Sequence, residues 1–126
     1  MIKLVFCCRR KPGLTREAFQ KRWLEVHGPL VRKLRAELPM MKRYVQSHTL
    51  AGPVGDAVNE GLRASRGVRE AYDGITEVWF DGLEAMGGGG GEAARAAGQR
   101  LLEDEAEFID FANSAVFVTE EHEIFG

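Results

Sequence analysis

The chain has 126 residues, 44% hydrophobic and 29% charged, enough for one compact domain with a buried core and too little for two. Seventeen basic and nineteen acidic residues are interspersed along it for a net charge of −2, which argues against a phosphate-backbone surface and so against nucleic acid as a partner. The longest apolar run, residues 4–8, is far short of a membrane span and lacks the make-up of a secretory leader, so a cytoplasmic protein with no membrane partner is expected.

Residues 2–8 are short, β-branched and apolar on both parities, the pattern of a strand covered on both faces. Cys7 and Cys8 adjoin within it and point to opposite faces, which rules out a disulfide between them and a four-cysteine metal site, and predicts two reduced, buried thiols. After Pro12 and Gly13, Thr15 is placed to cap a helix, Glu17 suits its positive first turn, and Leu14 and Phe19 have the spacing of a hydrophobic staple. That helix carries Phe19, Trp23 and Val26 on one stripe and is expected to stop at Gly28-Pro29, leaving His27 at its end.

A shorter helical pattern resumes with Val31, Leu34 and Leu38 and ends before Pro39. Residues 41–50 read as a second strand with Tyr44, Gln46 and His48 on one face and Arg43, Val45 and Ser47 on the other. Residues 51–73 form a long connection with a helical turn or two around 57–62, the kind of segment that often supplies a lid or binding loop. A third strand covers residues 75–80, residues 83–111 are broadly helical, and a fourth strand covers residues 115–125. The glycines of residues 87–91 interrupt that last helix, each costing about 0.8–1 kcal/mol relative to alanine, so a flexible break is expected there.

The order strand, helix, strand, strand, helix, strand is the ferredoxin-like split βαβ arrangement, α+β with helices on one face of an antiparallel sheet. Three of the strands are apolar on both parities while two helices cover one face, so a homodimer packed through the open faces is expected.

Histidine titrates near neutrality without much perturbation, which makes His27, His48 and His122 the candidate acid–base groups. His27 is expected at a pocket as the chief acid–base group, with His48 and Tyr44 across from it to polarise a carbonyl; the alternatives are an imidazole that only caps the helix end, and interface or surface polar groups at 44 and 48. Trp23, Tyr72, Glu77 and Trp79 are candidates for the pocket wall, with plain core packing the alternative for the aromatics and a cross-strand pair with Arg43 the alternative for Glu77. On a strand only Glu120 shares a face with His122, too few ligands for a metal, so that end is expected to be a solvated acidic edge.

Four segments in order, His-Gly-Pro-Leu-Val at 27–31, Arg-Tyr-Val-Gln-Ser-His at 43–48, Tyr-Asp-Gly-Ile at 72–75 leading to Glu77, Trp79, Phe80 and Asp81, and Asp104-Glu105 followed by Phe108-Ile109-Asp110, resemble the EthD-like family of the dimeric α+β barrel superfamily. The resemblance implies one EthD-like domain over residues 1–126, two sheets closed into a barrel across a dimer interface, and a pocket between sheet and helices. Related barrels include cofactor-free oxygenases, isomerases, cyclases and decarboxylases of aromatic or polyketide-like compounds, and the expectation is an enzyme of that kind, with no cofactor and no metal, acting on a small hydrophobic molecule. The resemblance also admits a non-enzymatic ligand-binding or accessory protein of an oxidative degradation pathway, and a haem-binding barrel. It implies a continuous helix where residues 87–91 stand, and the chain departs from it there.

Overall fold

A computed structural model describes residues 1–86 and 90–126. Strands β1 (Ile2–Cys8), β2 (Met41–His48), β3 (Gly74–Phe80) and β4 (Ala115–Glu120) form one sheet in the order β2-β3-β1-β4, every neighbouring pair antiparallel. Helices α1 (Arg16–Arg22), α2 (Gly28–Leu34), α3 (Pro53–Arg66) and α4 (Gly91–Glu105) join them. The strand order and helix placement are those expected for the split βαβ fold.

The register sorts side chains onto two faces. Leu4, Phe6 and Cys8 align with Val78, Thr76 and Gly74, and these with Tyr44, Gln46 and His48, all on the face beneath α1, α2 and α4. Cys8, Phe19, Trp23, Phe108 and Ile109 make one core cluster there, and Leu38, Ala94 and Ala97 make a second. Gly74 is required by the first cluster: a Cβ on it would lie 2.4 Å from the Trp23 ring and 2.6 Å from the Ser47 carbonyl oxygen, so only glycine lets the indole rest on the sheet. The other face carries Lys3, Val5, Cys7, Glu77, Trp79 and Phe117, no helix among the described residues packs on it, and Phe117 is 49% exposed.

The structure departs from the sequence expectation at several elements. Gly28-Pro29 does not stop the first helix. Residues Trp23–His27 instead form one π-helical turn, in which Gly28 N–H donates to the Trp23 carbonyl, and α2 continues directly from it with Pro29 in its first turn. Widening the turn by one residue removes the need for the hydrogen bond that Pro29 cannot donate, which a regular α-helix would leave as a gap and a clash. Thr15 caps α1 as expected, its hydroxyl accepting from Ala18 N at 3.0 Å.

The long connection contains a 14-residue helix, α3, started at Pro53 and closed by Gly67 in the left-handed conformation (φ 63°). Its internal glycines, Gly55 and Gly61, hid the period. The fourth strand ends at Glu120, short of residue 125. The broadly helical stretch resolves into a 3₁₀ turn at Leu83–Met86, α4, and a second 3₁₀ turn at Phe111–Asn113. Of the break expected over residues 87–91, Gly90 caps α4 and Gly91, at φ 74°, begins it, while residues 87–89 lie outside the described residues. Cys8 is fully buried, and its thiol is pushed up to about 12 by burial, whereas Cys7 sits half-buried on the open face, so only one of the two thiols is in the core.

Candidate functional site

The π-turn decides where His27 points. It rotates the helix so that the imidazole turns inward between the two core clusters, only 3% exposed, with its edge against the Phe108 ring at 5.5 Å. Its Nδ1 lies 2.8 Å from Asp104 Oδ2, and the other oxygen of that carboxylate accepts from Arg22 Nη2 at 2.6 Å. Burial alone would raise the Asp104 carboxyl, but the hydrogen bonds from His27 and Arg22 outweigh it and hold it below the ordinary aspartate range. An ionised carboxylate only accepts, so Nδ1 carries the proton and the neutral ring keeps an unprotonated Nε2. Burial lowers the His27 pKa, and Asp104 offsets part of that.

Nε2 faces Glu105 Oε2 at 3.7 Å. The Glu105 carboxyl is raised to about 7, first by burial and then by the negative charge of Asp104. A base lacking its proton therefore stands next to a carboxyl that titrates near neutrality, an arrangement suited to passing a proton between the two.

Both groups border a cavity of about 580 Å³ between the sheet and α4, with an otherwise mostly apolar wall that includes Leu4, Val78, Phe80 and Leu101. Met41 reaches this wall through a β-bulge: the register shifts between Met41 and Arg43, so the extra residue, Lys42, turns Met41 to the helix face opposite Phe80. Strict alternation would have left it outside with Arg43.

Tyr44 lines the same cavity. Its hydroxyl accepts from Gln46 Nε2 at 3.1 Å, which leaves its proton free to donate, and burial raises its pKa and keeps it neutral. The same amide donates to the Trp23 carbonyl at 3.0 Å, so Gln46 ties the π-turn to strand β2.

Of the residues singled out in the sequence, His27 and Tyr44 are brought together and the rest are not. His48 lies on the helix face, stacked on the Trp23 ring at 4.5 Å and donating from Nε2 to Gln46 Oε1 at 2.9 Å, behind the cavity wall. Trp23 is 1% exposed and belongs to the core, because Gly74 lets it sink onto the sheet. Tyr72 is held at the far end of the sheet under Arg9, 4.1 Å from ring to guanidinium, next to Asp73, which is anchored by Arg10 and Arg16. Glu77 and Trp79 have the opposite parity to Thr76 and Val78 and stand on the open face. There Glu77 pairs with Lys3 at 2.8 Å rather than with Arg43, and Arg43 stacks on Trp79. His122 is exposed beside Glu120, as the acidic-edge reading expects.

Asp104 and Glu105 stood in the sequence only as part of the family resemblance, with no role assigned to either. The signal that separates them is spacing: Ala94, Ala97, Leu101 and Asp104 fall at intervals of three and four, so Asp104 continues the inward stripe of α4. A carboxylate on an apolar stripe needs a partner, and an arginine and a histidine one turn apart on a facing helix supply it.

A four-stranded antiparallel sheet in split βαβ order, with a histidine–carboxylate pair at a cavity beneath its helices, defines an α+β protein of the ferredoxin-like class. The EthD domain matches residues 11–112, and the chain belongs to the EthD family. Among solved structures it is similar to an ethyl tert-butyl ether d (EthD) family protein from Bacillus halodurans, at 20% identity and TM-score 0.59 over 97% of this chain and 99% of that one. An EthD-like protein from Ralstonia eutropha matches at 18% identity and TM-score 0.57, over 94% and 89% of the two chains. A dimeric ferredoxin-like protein of unknown function from Thermobifida fusca matches at 18% and 0.55, over 94% and 88%. The comparison with curated proteins gave no significant match.

Proposed function

We propose that this protein is a cofactor-free acid–base enzyme whose substrate is a small hydrophobic carbonyl compound, aromatic or polyketide-like, held in the His27 cavity. The observation that carries this reading is the buried Asp104–His27 pair at the wall of a mostly apolar cavity. In the step proposed, the bond between hydrogen and a carbon adjacent to the carbonyl breaks, the proton goes to His27 Nε2, and the electron pair moves into the enolate. The Tyr44 hydroxyl donates to the developing enolate oxygen, and Glu105 exchanges the proton with Nε2. An enolate is the common starting point for isomerisation, ring closure or attack on dioxygen.

The test is exchange in deuterium oxide with a panel of aromatic β-dicarbonyl compounds, followed by NMR. Catalysed loss of the carbon-bound proton signal is expected, falling about 10²–10⁴-fold in His27→Asn. Binding without catalysed exchange would leave a ligand carrier or accessory protein, the non-enzymatic alternative.

The same reading takes residues 1–126 as one domain, since β1 begins before the family match and β4 ends after it within a single sheet. It takes the working form as a cytoplasmic homodimer. Support for the dimer comes from Ile75 and Phe117, exposed on an open sheet face, and from the Thermobifida fusca structure being described as dimeric. Support for the compartment comes from two free cysteines. No helix among the described residues is long and apolar enough to cross a membrane. Sedimentation at micromolar concentration is expected to give twice the chain mass, and Phe117→Asp the single-chain mass, because an unpaired charge in the interface is costly.

A further inference from the structure

A second cavity, of about 590 Å³, lies on the other side of α2, between that helix and the edge strand β2. Its composition contrasts with the first. Arg32, Arg35, Lys42 and Arg43 line it with no acidic residue among the lining groups, in a chain whose overall charge is −2. Lys42 is 3.6 Å from Asp81 and Arg43 stacks on Trp79, but Arg32 and Arg35, one turn apart on α2 and its continuation, pair with no acid among the described residues. Gly28 keeps the floor open: a Cβ there would meet only ordinary contacts at 3.7 Å, so the missing side chain is space given to the cavity rather than a packing need.

Val31, Met41 and Tyr44 line both cavities and form the partition between them. A cationic groove and an apolar chamber thus share one wall, and that wall includes Tyr44, whose hydroxyl accepts from Gln46 on the groove side. We propose that the ligand is a small amphiphilic anion, its terminal oxyanion held by Arg32 and Arg35 in the groove and its apolar body passing the Met41–Tyr44 wall into the His27 chamber. Two guanidiniums provide paired donors that can meet both oxygens of a carboxylate or two of the three oxygens of a sulfonate. The arrangement rests on the His27 cavity being the ligand chamber, as proposed above, and adds to it the charge and polarity of what binds there.

Two fluorescent probes with the same skeleton separate the contributions: anilinonaphthalene sulfonate, which carries the oxyanion, and phenylnaphthylamine, which lacks it. Both are expected to bind the full chain at physiological salt and to displace each other. The double variant Arg32→Gln/Arg35→Gln is expected to weaken the sulfonate about tenfold and to leave phenylnaphthylamine within about twofold. Lys33→Gln, on the same helix outside the groove, is expected to change neither. Unchanged sulfonate affinity in the double variant, or an equal loss in Lys33→Gln, would overturn the groove assignment while leaving the chamber intact. Simultaneous binding of the two probes would overturn the spanning arrangement. Failure of phenylnaphthylamine to bind at all would count against the His27 chamber as a ligand site and would take the spanning arrangement with it.

Discussion

Replacing Asp104 with alanine is expected to lower the free energy of unfolding by about 3–5 kcal/mol. The reason is that one carboxylate serves two groups. Its Oδ2 accepts from a nearly inaccessible imidazole and its Oδ1 from the Arg22 guanidinium, which packs over the Phe108 ring. Arg22 Nε already lacks a partner among the described residues, so removing the carboxylate takes away the guanidinium's side-chain acceptor and strands the buried His27 Nδ1–H as well. Asp104→Asn separates charge from shape. An amide presents one acceptor and one donor where two acceptors are needed, so either His27 or Arg22 meets an N–H. The asparagine variant is expected to lose less stability than the alanine variant, and to move the His27 proton from Nδ1 to Nε2 if the amide nitrogen takes the His27 side. Urea unfolding measures the first effect and the imidazole ¹⁵N shifts the second. A loss below about 1 kcal/mol for Asp104→Ala would mean that solvent reaches His27 and Arg22 and that the pair is a surface contact.

The parts of this site that were legible in the sequence are those that depend on local chemistry, and the parts that were not depend on what faces what. His27 stood out because Trp23, His27, Gly28 and Pro29 are unusual neighbours, and the conclusion that it turns toward the core holds. The inferred mechanism, a helix stopped by Gly28-Pro29, does not hold, because a π-turn absorbs the proline at the cost of one widened ring, and no single-sequence rule distinguishes that from termination. Strand alternation placed Tyr44, Gln46 and His48 on one face correctly, yet it could not say that Gln46 would occupy His48 and hold it off the cavity. Glu77 and Trp79 were nominated by residue type, and parity against Val78 would have moved them to the other face once that face was fixed by the helices. Asp104 entered only as part of the family resemblance and was given no role, although among the acids at 103, 104, 105 and 107 it alone continues the α4 stripe. The split βαβ order, by contrast, followed from element order alone, which is insensitive to errors of a few residues at each boundary.

Glu105→Gln is expected to act in the opposite sense to Asp104→Ala, by an amount that grows as pH rises from about 4.5 to about 7. The Glu105 carboxyl is raised from 4.5 to about 7 by burial and by Asp104 beside it. A group that binds its proton more tightly when folded contributes stability that is fully present below its unfolded value, near pH 4.5, and that is lost as pH rises through about 7. Above pH 7 the folded chain holds a mostly buried carboxylate next to another, a cost of about 3 kcal/mol from the shift of this one group. Glutamine keeps the volume and removes the ionisation, so the two unfolding curves are expected to coincide near pH 4 and to separate by up to about 3 kcal/mol by pH 8, with the variant the more stable. His27 runs the other way: its lowered pKa removes stability as pH falls below the ordinary histidine value, in the variant as in the parent, and so drops out of the comparison. The residue that makes the folded chain less stable at neutral pH is also the one beside His27 Nε2. The variant is accordingly expected to lose the proton exchange assigned to the pair while gaining stability, the trade-off of a strained functional group. A variant equally stable at pH 4 and pH 8 relative to the parent would show that Glu105 titrates as an ordinary surface carboxyl, and the proton-passing role would go with it.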